Sequence, residues 1–322
     1  MHKEQTTLTF TGDIGFDKYM ADRWDDESLL SPEVLSYLHD TDHLIVNVEG
    51  PLSEGEKVMR DNSVASLTHS MDPGVAAFLS RIRADIWNIC NNHIMDAGAV
   101  GLSDTLRIAG ENGCTTIGAG MDLEEAMRPV ILDAAGGIGM ISVGYQRACR
   151  KAGEDTPGCF SWSDMENIER SIGRIKKTCR WCIVIAHGGE EFTALPSPYT
   201  RKRYMDYLQM GADIVVSHHP HVPMNYETFP GKVIFYSLGN FVFDTDYQRS
   251  QFHTQTGLFV KLHFDKDAFS FEPYGIMIDR KSEKILPGQL PAIFTDVQEE
   301  EYERLIPLAT KMFLENTKRQ LK

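Results

Sequence analysis

The chain has 322 residues, of which 42% are hydrophobic and 24% charged, a composition typical of a globular protein with one large α/β domain or two ordinary ones. Its formal net charge of −14 argues against binding along a nucleic-acid backbone, so we expect no long nucleic acid as a partner. A small or oligomeric anionic substrate is compatible with this charge where bound metal ions reverse the local potential.

The N-terminus and the hydropathy pattern predict neither export nor membrane insertion. Residues 1–5 lead almost directly into an apolar strand, without the basic and longer apolar regions of a secretory signal. No apolar run approaches the ~20 residues that span a bilayer. We therefore expect a cytoplasmic protein without a membrane segment.

Four of the six cysteines follow no regular spacing, which suits reduced thiols. Cys179 and Cys182 form one C-x-x-C pair, but no second pair lies at zinc-site spacing. We interpret them as a helix-end cysteine and a buried strand cysteine. Redox or metal chemistry is the alternative.

In the first half of the chain, short β-rich runs alternate with helical stretches. Apolar residues at helical spacing place Val75, Phe78, Leu79 and Ile82 on one face, and Gly113 stands where a helix C-cap is expected. Strands are predicted at residues 7–11, 43–48, 85–89, 115–117, 130–132 and 138–143, and helices at 32–39, 73–83, 99–112 and 122–127.

In the second half the strands come closer together and Gly-rich turns separate them, which favours an antiparallel or mixed portion. The earlier alternation of strands and helices implies parallel pairing. Strands are predicted at residues 182–186, 214–217, 233–237 and 257–264, and helices at 165–177, 198–210 and 297–320. The expected architecture is a layered sandwich with sheets inside and helices outside.

Polar residues able to bind metal follow five of these strands. Because the carboxyl ends of parallel strands meet at one edge of a sheet, we expect them to lie together. Their carboxylates and imidazoles suit Mn, Fe or Zn, and the lack of thiolates argues against a closed structural zinc site. The residues are Asp13, Glu49, Asn92 with His93, His187, and His219 with His221.

Each of these residues has a structural alternative. Asp13 alone is compatible with a turn, residues 91–93 with a capped loop, and His187 with a histidine that satisfies a backbone carbonyl. Their joint occurrence at equivalent strand ends favours a metal site. Glu49 would then bridge two ions about 3.5–4 Å apart, which lower the pKa of a bridging water. His93 would protonate a leaving oxygen or stabilise charge.

Seven short motifs occur in order along the chain, at residues 12–13, 47–51, 91–96, 118–120, 187–191, 218–222 and 237–244. They include Asn91-Asn92-His93, His219-Pro220-His221 and the run SLGNFVFD. Together they resemble the CapA family, the poly-γ-glutamate capsule synthesis proteins of the calcineurin-like metallophosphoesterase superfamily. The resemblance extends from residue 7 to residue 265.

This resemblance implies a four-layer α/β/β/α sandwich of the metallo-dependent phosphatase type, in a domain of residues 1–280 that holds two divalent metal ions. Residues 281–322 would be a C-terminal extension whose charged helix packs on the domain or supports a dimer. The implied roles are: Asp13 and His221 for the first ion, Glu49 as the bridge, Asn92, His187 and His219 for the second ion, His93 as the catalytic histidine, and Asn47, Glu191 and Asn240 along the pocket.

The chain departs from the wider superfamily in two respects. Metallophosphoesterases usually begin with Asp-x-His, whereas Asp13-Ile14-Gly15 has no histidine. The CapA group commonly lacks it too, but its absence weakens the first metal site. The chain also has no membrane anchor of the kind that many capsule-assembly members carry, which puts a direct role in polymer export in doubt.

The leading hypothesis is a metal-dependent hydrolase that uses a metal-bridged hydroxide on a phosphoester or a related phosphorylated or γ-glutamyl compound. The alternative is a non-catalytic metal-binding accessory of poly-γ-glutamate or cell-surface polymer biosynthesis. A nucleic-acid phosphodiesterase is a third hypothesis. Substrate choice would depend on loops at residues 53–72, 147–161 and 190–199, which offer anion-binding groups at Arg60, His69, Arg147, Arg150, Lys151 and Tyr199.

Overall fold

The computed structural model describes residues 4–54, 68–145 and 149–320, with only the helical backbone of 312–320. Arg60 and Arg147 lie outside these ranges. Strands of the described residues form two large sheets and one small ribbon. They are β1 (Thr6–Gly15), β2 (His43–Val48), β3 (Ile86–Asn88), β4 (Thr115–Ile117), β5 (Ala119–Gly120), β6 (Val130–Leu132), β7 (Ile138–Gly144), β8 (Gly158–Cys159), β9 (Trp181–His187), β10 (Ile214–His218), β11 (Tyr226–Phe229), β12 (Lys232–Phe235), β13 (Asn240–Phe243), β14 (Thr256–Phe264), β15 (Phe269–Asp279) and β16 (Lys284–Pro287).

The first sheet has the order β16-β15-β14-β1-β2-β3-β4, and β13 also pairs with β1. Strands β1 to β4 are parallel, as predicted, whereas β14 to β16 pair antiparallel. The second sheet has the order β11-β12-β10-β9-β7-β6, with a parallel centre and antiparallel edges. The β6–β7 hairpin turns at Gly136 and Gly137, which both have the positive φ that glycine tolerates best.

Most helices begin and end where local chemistry predicts. Ser31 and Ser197 each accept a hydrogen bond from a backbone N–H of the first turn and precede a proline at the first helical position. Gly113, with φ of 70°, follows the third helix. The helices are α1 (Pro32–His39), α2 (Val75–Arg81), α3 (Gly98–Glu111), α4 (Leu123–Ala126), α5 (Met165–Thr178), α6 (Pro198–Gln209), α7 (Asp246–Arg249) and α8 (Glu299–Gln320), with a 3-10 turn at Lys18–Met20.

Apolar side chains fill three layers between the elements. Phe10 and Ile45 of the first sheet meet Ile183 of the second in the central layer. Phe78 of α2 packs on the outer face of the first sheet, and Ile172 of α5 packs on that of the second. Truncating one of these fully buried side chains to alanine would cost about 2–5 kcal/mol. The predicted four-layer α/β/β/α sandwich is confirmed.

Some strand ends differ from the prediction. Strand β1 continues to Gly15 instead of stopping before Gly12, so Asp13 lies inside a strand, at an irregularity in its pairing with β2 and β13. His187 is the last residue of β9. Cys179 caps α5 and Cys182 lies inside β9, both as free buried thiols, in agreement with their structural interpretation.

The C-terminal helix begins at Glu299 and is anchored to the domain through its first turn. Tyr302 packs with Leu195 and donates a hydrogen bond of 2.9 Å to the carbonyl oxygen of Pro196. Arg201 forms an ion pair of 2.7 Å with Glu299. The division of the chain at residue 280 stays a prediction. Strand β16, which lies beyond residue 280, pairs with β15 of the first sheet.

Candidate metal centre

The predicted ligands meet between the two sheets, at the carboxyl ends of parallel strands. Asp13 comes from β1, Glu49 follows β2 directly, and His187 closes β9. His219 and His221 follow β10. All five side chains are buried, so their charges and hydrogen-bonding groups are withdrawn from water.

These side chains form two groups of three that share Glu49. One group is Asp13, Glu49 and His221, and the other is Glu49, His187 and His219; within each group, one ligand atom per residue lies within 4.8 Å of the others. Nε2 of His221 is 3.6 Å and Nε2 of His187 is 3.8 Å from the same oxygen, Oε1 of Glu49. This sharing is the arrangement expected of a bridging carboxylate.

Asn92 lies at the second group. Its Oδ1 is 2.7 Å from Nε2 of His187, so the amide oxygen and the imidazole face the same small space. Asn91 positions this loop, because its Nδ2 donates to the carbonyl oxygen of Val48 and its Oδ1 accepts from the backbone N–H of His93. All six predicted ligands are therefore brought together.

The donor atoms fit divalent cations. Oδ2 of Asp13, Oε1 of Glu49 and Nδ1 of both His187 and His219 are buried and have no hydrogen-bond partner in the described part of the chain. Leaving such atoms unpaired costs about 1–3 kcal/mol each, more for charged groups, so an occupant is expected. Oxygen and imidazole nitrogen donors suit Mn, Fe or Zn.

The pKa shifts of the carboxyl and imidazole groups also indicate a site for a cation. Burial raises the pKa of Glu49 well above its ordinary value, and the charge of Asp13 adds to the rise. Burial also opposes ionisation of Asp13, but His221, His218 and Asn47 hold its pKa below the ordinary value. Burial disfavours the charged form of His221, yet the carboxylates of Glu49 and Asp13 raise its pKa to about 10. A bound cation would replace the proton that this cluster retains.

A hydrogen-bonded chain of polar side chains fixes the two carboxylates. Nδ2 of Asn47 donates to Oδ1 of Asp13 at 2.8 Å and to Oε2 of Glu49 at 3.3 Å. Nδ2 of Asn88 donates to Oδ1 of Asn47 at 2.8 Å, and Ser142 of the second sheet donates to Oδ1 of Asn88 at 2.6 Å. Outer partners of this kind orient metal ligands and adjust their basicity.

Asn240 performs the equivalent task for His221. Parallel pairing of β13 with β1 sets Asn240 opposite Asp13, and its Oδ1 lies 2.9 Å from Nδ1 of His221. The two strands approach closely at Gly12, where a Cβ atom would lie 2.3 Å from the carbonyl oxygen of Gly239. Glycine is therefore required beside Asp13.

The backbone at the histidine pair is strained. His219 has φ of 97° and His221 has φ of 58°, both in the left-handed region that non-glycine residues rarely adopt. Each such residue costs of order 1–3 kcal/mol. Strain of this kind concentrates at sites where function requires a particular side-chain direction.

His93 lies beside this centre rather than within either group. Its Nδ1 is 2.6 Å from Oδ2 of Asp96, which fixes the ring. Glu191 is at the rim, about one third exposed, with Oε1 3.8 Å from Nε2 of His219. His218, which we did not single out as a ligand, places Nδ1 3.5 Å from Oδ1 of Asp13.

The sequence profile described as "Bacterial capsule synthesis protein PGA_cap" matches residues 7–245. This chain belongs to that family. It is 28% identical over 268 residues to the PGA biosynthesis protein CapA of Bacillus subtilis (strain 168), covering 81% of this chain and 68% of the relative. It is 27% identical over 257 residues to the capsule biosynthesis protein CapA of Bacillus anthracis, covering 77% and 62%.

A solved structure supports the fold of this PGA_cap protein. The crystal structure of a hypothetical protein from Thermus thermophilus superposes with a TM-score of 0.51 at 12% identity, covering 84% of this chain and 98% of that one. At this identity the likeness concerns the fold alone. Within residues 4–54, 68–145 and 149–320, no helix has the length and hydrophobicity needed to cross a bilayer.

Sequence reasoning missed the residues that support the predicted site residues of this PGA_cap protein through hydrogen bonds. Asn88 and Ser142 are polar residues inside buried strands, and that exception to an apolar pattern is the signal that would have found them. Asp96 lies within a quoted motif, but nothing in its spacing showed that it contacts His93. Asp17 gave no signal, because its partner His69 is 52 residues away.

Proposed function

We propose that this PGA_cap protein is a dinuclear-metal-dependent hydrolase of a phosphoester or a related phosphorylated or γ-glutamyl compound. The observation that carries the proposal is the pair of buried ligand groups that share Glu49, in which several oxygen and nitrogen atoms are buried without a hydrogen-bond partner among the described residues. Neither group resembles a structural ion pair, since partners within ordinary hydrogen-bonding distance are missing from several atoms.

Asp13, Glu49 and His221 would hold the first ion, and Glu49, Asn92, His187 and His219 the second. Two divalent ions bound there would supply positive charge and Lewis acidity toward an anionic substrate. This accounts for an anionic substrate in a chain with a formal net charge of −14. Asn47 and Asn240 keep the ligands in position.

His93 would transfer the proton to the leaving oxygen. Asp96 holds its Nδ1, so the second ring nitrogen is the one that serves the substrate. The ring is nearly buried, which strengthens its electrostatic interactions with a bound anion. Glu191 at the rim would contact the part of the substrate that extends toward solvent.

The second candidate function is a non-catalytic, metal-binding accessory of poly-γ-glutamate or cell-surface polymer biosynthesis. One observation favours it: the first ligand group lacks the histidine of the Asp-x-His motif. At Gly15, where Asp-x-His enzymes place a histidine, a Cβ atom would lie 2.4 Å from the ring of Phe243, so that ring occupies the space beside Gly15. The relatives from Bacillus subtilis and Bacillus anthracis are themselves described as biosynthesis proteins.

The test is a turnover screen with metal-free protein and protein reloaded with Mn²⁺, Fe²⁺ or Zn²⁺. Substrates should include a phosphomonoester, a phosphodiester and a γ-glutamyl amide. We expect turnover of at least one class that chelation abolishes and metal restores. Metal binding without turnover of any class would contradict the hydrolase and favour the accessory. Turnover that is indifferent to chelation would contradict both.

A further inference from the structure

A second imidazole–carboxylate pair lies against the first. Nδ1 of His69 is 2.7 Å from Oδ2 of Asp17, and both side chains are largely buried. The ring of His69 meets the ring of His93 edge to face, with centroids 4.1 Å apart. The proposed catalytic mechanism does not use this pair.

The two pairs are joined through one carboxylate oxygen. Oδ2 of Asp96 accepts the backbone N–H of His69 at 2.9 Å and lies 2.6 Å from Nδ1 of His93. Phe243 contacts both His69 and His221, with ring centroids 5.2 Å and 4.8 Å away. His69 therefore lies in the wall between the catalytic histidine and the first ligand group.

The hydrogen bonds of the pair engage Nδ1 of His69 but not its second ring nitrogen, Nε2. Oδ1 of Asp17 accepts the backbone N–H of Lys18, which directs Oδ2 to His69. Within the described ranges, Nε2 of His69 has no hydrogen bond, and it is not among the atoms that are sealed from solvent. An imidazole held at Nδ1 by a carboxylate presents Nε2 in a fixed direction.

We propose that Nε2 of His69 binds an oxyanion of the substrate, a phosphate or carboxylate group, beside His93. The inference rests on the proposed function for the identity of the site. A site lined by Asp13, Glu49 and Glu191 needs donors as well as metal ions to hold an anion, and His69 supplies one next to the leaving group. Asp17 is its positioning residue.

The pair has an alternative use, which is to fasten the loop before α2 to the end of β1. A second pair in the molecule provides the matched control. Nδ1 of His43 lies 2.6 Å from Oδ2 of Asp85 at the amino-terminal end of β2, away from the ligands. His43→Asn and His69→Asn each keep an amide near the Nδ1 position and remove the second nitrogen.

The experiment measures binding of inorganic phosphate and, separately, of glutarate to the Mn²⁺-loaded protein by calorimetry. We expect His69→Asn to weaken one of the two probes roughly 10- to 100-fold, as for a lost charge-assisted hydrogen bond. The probe that weakens identifies phosphate or carboxylate as the ligand. His69→Gln, whose amide reaches the Nε2 position, should recover part of the loss, and His43→Asn should bind like the wild type. Melting temperature and metal content serve as folding checks.

Unchanged affinity for both probes in a folded, metal-loaded His69→Asn protein would overturn the inference, as would an equal loss in His43→Asn. Absence of binding of both probes to the wild type would also overturn it. The outcome is separable from that of the proposed function. Oxyanion binding that depends on His69 in a protein without turnover sinks the hydrolase alone, whereas turnover with unchanged KM in His69→Asn sinks this inference alone.

Discussion

At the amino-terminal end of the parallel strands, two carboxylates are each held by a backbone N–H and a basic side chain. Asp85 accepts the backbone N–H of Leu44 at 2.7 Å and pairs with His43, and Asp213 accepts the backbone N–H of Cys182 at 2.7 Å and the ammonium of Lys176 at 2.8 Å. At the carboxyl end of the same strands, Asp13 and Glu49 are buried side by side, and each keeps one oxygen without a hydrogen bond.

The two ends therefore differ in how their carboxylates are paired. Carboxylates that accept hydrogen bonds from a backbone N–H and a basic side chain stabilise the folded chain, because removing them would leave donors unsatisfied. Carboxylates that repel each other in a buried site lower stability and are tolerated where a ligand compensates. The strained backbone of His219 and His221 lies at this second end as well.

The largest effect on turnover that leaves metal binding intact should come from His93→Asn. The variant keeps an amide near Asp96 but has no second nitrogen for the leaving group, so kcat should fall about 10²- to 10⁴-fold. Metal content should match the wild type. Kinetics on the best substrate of the screen, with His43→Asn as the control, decide this; a kcat within threefold or so of wild type would remove His93 from the mechanism.

A smaller effect is expected from Asn240→Ala, which leaves every proposed ligand in place. His221 would lose the partner at Nδ1, and loss of an outer hydrogen bond typically weakens metal affinity about 10- to 100-fold. Titration of metal-free protein with Mn²⁺ measures this. If the affinity of Asn240→Ala equals that of wild type, Asn240 does not orient His221.

The last expected effect concerns the stability of metal-free protein and should differ between the two ends. Asp213→Ala should lower the free energy of unfolding by about 1–3 kcal/mol, because the N–H of Cys182 loses its acceptor. Glu49→Gln should leave it unchanged or raise it, since the amide replaces a carboxyl group whose ionisation burial and the charge of Asp13 disfavour. Urea unfolding measures both variants. Equal destabilisation by the two would erase the distinction between the two ends.

Much of the fold follows from local patterns in the sequence. The apolar periodicity of α2 locates that helix within two residues or so, and α1 and α6 begin at the predicted residues 32 and 198. The positions of polar residues after apolar strands predicted that Asp13, Glu49 and the histidines lie together, because parallel strands share a carboxyl edge. The predicted end of β1 was wrong, because an irregularity in its pairing lets the strand continue past Asp13.

The rest depends on contacts between residues far apart in sequence. Parallel pairing of β13 with β1 delivers Asn240 to His221, and Ser142 reaches Asn88 from the opposite sheet. No spacing rule predicts such contacts. The left-handed backbone of His219 and His221 could not be predicted from the sequence either, because glycine or asparagine ordinarily indicates that conformation.

If Glu49 belongs to two metal sites at once, its substitution affects both ions, and metal stoichiometry reveals this. Metal-free wild type, Glu49→Gln and Asp85→Asn should be titrated with Mn²⁺ by calorimetry and checked by elemental analysis. We expect two ions per chain for wild type and Asp85→Asn, and loss or severe weakening of both ions in Glu49→Gln. Wild-type protein that binds no ion, or Glu49→Gln that binds both as tightly as wild type, would contradict this expectation.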